Sequence, residues 1–83
     1  MKIAENISWK TLQDKVVAVN VTSGVYYTMN AVASDIWQAV ARGLDEAALL
    51  EYLRSEYEGV DPSQLAADLK EQLEQWRVEK LLE

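Results

Sequence analysis

The residue types that most often carry out catalysis are missing from this chain of 83 residues, which contains neither histidine nor cysteine. Their absence excludes the common nucleophile–base pairs and most zinc sites. Carboxylates remain, and Glu56, Glu58 and Asp61 form a group near a predicted turn. Their spacing does not match a calcium-binding loop, so a solvated loop is the favoured interpretation. We therefore expect no enzyme activity, no metal and no cofactor.

The backbone of one segment offers a different kind of chemistry. Val25–Met29 has no charge and no proline and is rich in β-branched and aromatic residues, the composition of a β-strand. At the edge of a sheet, the free N–H and C=O groups of such a strand form a template for pairing that proteins normally block. An unblocked edge is suited to capturing an extended peptide as an additional strand.

Composition and charge limit the choice of partners. The chain is 49% apolar and 27% charged, as ordinary globular proteins are, and its length suits a single domain over residues 1–83. A net charge of −6 repels nucleic acid and anionic lipid. No signal peptide or membrane span is recognisable, and the lack of cysteine is compatible with the cytoplasmic location that we expect.

Three strands are predicted at the start of the chain. Ile7–Leu12 alternates as a half-buried strand does, and Val16–Val21 is apolar on both faces, which suits a central strand. Gly24 in the next connection stands where a bulged hairpin requires a left-handed residue, so Val25–Met29 should pair with the second strand. Lys10 protects the edge of the first strand, whereas no charge protects the edge of the third.

Three helices with recognisable start signals follow the strands. They are predicted over Ala31–Arg42 after an Asn30 cap, from Asp45 to a stop at Glu58–Gly59, and from an Asp61 cap through Pro62 to about Lys80. The order predicts an α+β fold that is winged-helix-like, with a three-stranded antiparallel sheet followed by three helices.

The order and spacing of these features resemble the PqqD-like family from about Val16 to Leu82. The matching segments are Val25–Asn30, Asp35–Trp37, Gly43, Leu53 with Tyr57, Ala67–Leu69, Leu73, Trp76 and Lys80–Leu82. The chain departs from the family pattern at Met29, where leucine is commoner, and at Leu69, where valine is commoner. Glu79 and Lys80 also stand where the family often has a glycine.

The resemblance implies a RiPP recognition element, which binds the leader segment of a ribosomally made precursor peptide for its modifying enzymes. A stand-alone chain of this size is similar to the recognition proteins of lasso-peptide clusters, which deliver the leader to a leader peptidase or another maturation enzyme. A PqqD-type peptide chaperone for a radical enzyme is one alternative. A winged-helix DNA-binding regulator is another, although the acidic third helix disfavours it.

The resemblance also implies where the leader binds, namely as an added strand in the cleft between the third strand and the third helix. The implied peptide-binding residues are Val25, Tyr26, Tyr27, Thr28 and Met29 on the strand and Asp68, Leu69, Gln72, Leu73 and Trp76 on the helix. Core packing is the competing interpretation of the apolar side chains. Gln75 could also bond to polar leader side chains, and a solvated helix flank is the competing interpretation of Asp68, Gln72 and Gln75. We expect a monomer or a weak dimer.

Overall fold

The computed structural model describes every residue from Met1 to Glu83. Its elements are β1 (Ile7–Leu12), β2 (Lys15–Asn20), β3 (Tyr26–Thr28), α1 (Ala31–Ala41), α2 (Glu46–Glu56) and α3 (Pro62–Val78). The predicted α+β class and the order of strands and helices are confirmed. β2 begins and ends one residue earlier than predicted, and β3 lacks the first and last residues of the predicted strand.

The three strands form an antiparallel meander with β2 in the centre. Gln13 and Asp14, between β1 and β2, both have positive φ, at 50° and 67°, as a tight two-residue hairpin turn requires. Gly24, between β2 and β3, has a φ of 81°, so its predicted left-handed conformation is confirmed. The Asn20 side chain orders this second turn because its Oδ1 accepts the backbone N–H groups of residues 22 and 23.

The helices cover one face of the sheet, and the core lies between that face and the helices. Val16 and Ala18 of β2 are fully buried on this face. Trp37 of α1 lies at the centre, with its ring edge-on to Trp9 of β1 and Trp76 of α3, at centroid separations of 6.4 and 5.1 Å. Through these two ring contacts α1 joins the sheet to α3.

Each helix starts at an N-cap residue that was predicted from the sequence. Asn30 and Asp45 accept the N–H groups of Ala33 and Ala48 at 2.8 and 2.9 Å, and Asp61 caps α3 with Pro62 at its first turn. The helix ends differ from the predicted ends by no more than two residues. None of these helices has both the length and the apolar character needed to cross a bilayer.

The C-terminal end of α3 is held against the start of the chain. Ala4 donates its N–H to the Leu81 carbonyl at 2.9 Å, and Ile3 forms a bridge with Leu82. Leu81 and Leu82 are buried in the core. These contacts fix the direction in which α3 passes the sheet.

Candidate functional site

β3 has no strand on its outer side, because the sheet order is β1-β2-β3. Met29, just after β3, donates its N–H to the Val16 carbonyl at 3.1 Å. Since hydrogen-bonded residues alternate along an antiparallel pair, Tyr27 also directs its N–H and C=O towards β2. Tyr26 and Thr28 direct theirs away from the sheet. The prediction that the third strand is an edge is confirmed.

Ser34 of α1 closes the ladder at the point where β3 ends. Its side chain is fully buried, and its Oγ accepts the Val16 N–H at 2.8 Å and donates to the Met29 carbonyl at 3.3 Å. In a regular ladder those two backbone groups would bond to each other. The inserted hydroxyl replaces that bond and allows the chain to leave the sheet for α1, which explains why regular pairing stops at Thr28.

A cleft of about 340 Å³ opens beside β3, between the strand, the start of α1 and the C-terminal half of α3. Its lining residues are Tyr26, Tyr27, Thr28, Met29, Asn30, Ala33, Gln72, Gln75, Trp76 and Glu79. Four of the five strand residues expected at the site are therefore brought together here. Val25 is 48% exposed and lies before the strand, outside the lining.

The helix residues expected at the site occupy different depths. Gln72 and Trp76 line the cleft opposite β3, although only 3% of the Trp76 surface is exposed. Leu69 and Leu73 are buried in the core, at 2% and 0% exposure, and do not reach the cleft. Their side chains pack behind the wall of the cleft because they lie on the inner stripe of α3.

Asp68 is exposed on α3 and is not part of the lining. Its Oδ1 accepts a hydrogen bond from Gln64 Nε2 at 2.8 Å, one turn earlier on the helix. Gln75, which was considered with Asp68 and Gln72 as a partner for polar leader side chains, lines the cleft, and so does Glu79, which was not predicted. A signal for them exists in the sequence, because residues three and seven positions after Gln72 lie on the same helical face.

The most strongly perturbed titratable group lies away from the cleft. Tyr57, at the end of α2, donates its hydroxyl to Asp35 Oδ2 of α1. This hydrogen bond, followed by burial and by the negative charge of Asp35, raises the pKa of Tyr57 to about 12. The pair ties α2 to α1 and therefore has a structural role.

Comparison with known proteins agrees with this architecture. Residues 15–82 match the sequence profile of the family described as Coenzyme PQQ synthesis protein D (PqqD), and no curated protein matches the chain. The solved structure of TbiB1 in complex with the TbiA(beta) leader peptide is 29% identical to it, with a TM-score of 0.94 over 100% of this chain and 95% of that one.

A second solved structure, of lasso peptide synthetase B1 complexed with the leader peptide, has the same fold. Its TM-score is 0.86 at 24% identity, over 96% of this chain and 93% of that one. The family profile runs from the start of β2 to beyond the end of α3 and so includes both walls of the cleft. The resemblance to PqqD-like recognition elements is confirmed, and the chain belongs to the PqqD family.

Proposed function

We propose that this protein binds the leader segment of a ribosomally synthesised precursor peptide as a fourth strand on β3. The observation that carries the proposal is the outward-facing backbone of Tyr26 and Thr28 immediately beside the cleft. TbiB1, which shares 29% of its sequence with this chain, was solved in complex with a leader peptide. Recognition by strand addition is the mode that an uncharged sheet edge supports.

Backbone pairing supplies affinity that tolerates changes in the leader sequence. The N–H and C=O groups of Tyr26 and Thr28 can bond to the leader, each bond contributing about 0.5–1.5 kcal/mol net. Ordering a flexible leader costs about 2–5 kcal/mol. Bonds at these four backbone groups roughly cancel that cost, so the cleft has to supply the net affinity and the selectivity.

Selectivity then arises from the leader side chains that enter the cleft. Alternate residues of an extended peptide point to the same side, and here they meet the rings of Tyr27 and Trp76 and the amides of Gln72 and Gln75. In this proposal Leu69 and Leu73 act indirectly, because they hold Trp76 in place from the core side. In the same proposal Asp68, one helical turn before Gln72 and outside the lining, binds a polar or basic leader residue that extends past the cleft.

The bound leader is delivered to a maturation enzyme, and the protein itself acts by binding. We assign the leader peptidase of a lasso-peptide pathway as that enzyme and the cytoplasm as the compartment. In the alternative, the chain serves a radical enzyme as a PqqD-type peptide chaperone. Purification of the protein with each candidate enzyme, in the presence and absence of the leader, separates these two partners.

Isothermal titration calorimetry tests the binding step. The probes are the TbiA(beta) leader peptide and the leader of a precursor peptide encoded beside this protein's gene, each with a scrambled control. We expect one-to-one binding of at least one leader and none of its scrambled form. N-methylation of leader amides at alternate positions should abolish binding in one register and not in the other, since only one set of amides faces β3. If N-methylation of either set of alternate amides left binding equally strong, strand addition would be ruled out.

A further inference from the structure

Glu79 is the only charged residue among those that line the cleft beside β3. It is half-buried and caps the C-terminus of α3. Its carboxylate forms no ion pair, since Arg77 pairs with Glu74 at 3.8 Å and Lys80 pairs with no carboxylate. The cleft therefore presents one unneutralised negative charge and no positive charge.

The end of α3 adds a second source of negative potential at the same place. A helix carries the equivalent of about half a negative charge at its C-terminus, in the partial charges of its last carbonyl groups, and Glu79 follows directly after α3 ends at Val78. Gln72 and Gln75 line the same wall, and their side-chain amides have oxygens that can accept hydrogen bonds. Carboxylate, helix end and amide oxygens all favour a cation that donates hydrogen bonds.

We propose that this end of the cleft is a subsite for a lysine or arginine side chain of the bound peptide, with Glu79 as the residue that selects it. The inference rests on the proposed function, because the cation is carried by the strand that pairs with β3. A neutral residue here would bury the Glu79 carboxylate further without a partner, and an acidic residue would be repelled. The subsite therefore discriminates against acidic residues as well as favouring basic ones.

A random peptide library displayed on phage tests the subsite at 0.15 M salt and does not require the leader sequence. The library is selected against the wild-type protein, against Glu79→Gln, and against Glu71→Gln as a control. Glu71 is an exposed α3 carboxylate without an ion pair and outside the cleft. We expect lysine or arginine to be enriched at one fixed position with the wild type and Glu71→Gln, and not with Glu79→Gln.

A selected peptide, synthesised with an acetylated N-terminus, then gives the size of the effect. Replacing its enriched lysine by norleucine should weaken binding to the wild type roughly two- to five-fold, as for a partly exposed ion pair, and leave binding to Glu79→Gln unchanged. Acetylation removes the charge of the peptide's N-terminus. If the norleucine replacement no longer weakens binding in the acetylated peptide, the terminal ammonium is the cation, and the assignment to a side chain is overturned. Enrichment that persists with Glu79→Gln would also overturn the inference, as would selected peptides that bind at β3 without a preferred basic position. If none of the selected peptides binds at β3, the proposed function fails together with the Glu79 subsite.

Discussion

The hydroxyl of Ser34 is placed between two backbone groups that a regular sheet would pair directly. Replacing Ser34 by alanine leaves the buried Val16 N–H without an acceptor and the Met29 carbonyl without that donor. We expect Ser34→Ala to lower the free energy of unfolding by about 1–3 kcal/mol, the cost of an unsatisfied buried group. Urea unfolding followed by tryptophan fluorescence measures this loss.

Ser63→Ala provides the control for that measurement. Ser63 is exposed, and its side chain makes no hydrogen bond, so its replacement should change stability by no more than about 0.5 kcal/mol. Equal stabilities of the two variants would contradict the role assigned to the Ser34 hydroxyl.

Tyr57 gives the stability of the protein a dependence on alkaline pH. Because the folded-state pKa of about 12 lies above the ordinary value of 10.0, the folded protein holds this proton more tightly than the unfolded chain does. The resulting stabilisation is complete below pH 10 and is lost as the pH rises from 10 towards 12. Tyr57→Phe removes the group that titrates.

We therefore expect the stability difference between the wild type and Tyr57→Phe to be constant from pH 7 to 9 and to shrink between pH 10 and 12. Urea unfolding of both proteins across this range measures the difference, and the subtraction removes the titration of the other tyrosines and the lysines. A difference that stays constant to pH 12 would contradict the hydrogen bond between Tyr57 and Asp35.

The backbone of β3 has one set of N–H and C=O groups that faces β2 and another that faces outward, and proline substitutions distinguish the two sets. Thr28→Pro removes an N–H that faces outward, so the sheet keeps its bonds and the peptide loses one donor. We expect a folded protein whose affinity for the leader falls roughly two- to ten-fold, the equivalent of one hydrogen bond. Circular dichroism and calorimetry with the leader measure folding and binding separately.

Tyr27→Pro is the matched variant, because the Tyr27 N–H faces β2. Its replacement removes a bond within the sheet, so we expect a marked loss of stability. The assignment of inner and outer groups would be wrong if Tyr27→Pro stayed as stable as the wild type while Thr28→Pro unfolded.

The elements themselves could be predicted because their signals are local. Cap residues such as Asn30 and Asp61 stand directly before helices, and alternation identifies β1. The early end of β3 could not be predicted, since it depends on Ser34, a residue of the following helix that reaches back to Val16. A buried serine in a helix carries no sequence signal for this role.

The composition of the cleft was predicted only in part, for a related reason. The apolar stripe of α3 contains Leu69, Leu73 and Trp76, and the sequence does not say which of them reaches the surface. That depends on the angle at which α3 passes the sheet, which is fixed by contacts between the two ends of the chain, such as that of Ala4 with Leu81. Gln75 and Glu79 enter the cleft through the same geometry.

The distribution of charge over the molecule argues against a nucleic-acid partner despite the winged-helix-like order of elements. From Asp61 to Glu83 six carboxylates oppose three cations, so α3 cannot release counterions from a phosphate backbone. We predict no measurable binding to a fluorescently labelled 20-base-pair duplex at 0.15 M salt. An anisotropy increase with a steep salt dependence would contradict this.

An NMR titration of isotope-labelled protein with the leader shows where the peptide lies on the molecule. We predict that the largest amide shifts occur in β3 and in α3 from Gln72 to Glu79. Nuclear Overhauser contacts between Tyr26 or Thr28 and the peptide backbone should show the peptide as a fourth strand. Shifts concentrated in β1 and α2, with β3 and α3 unchanged, would rule out binding of the leader at β3.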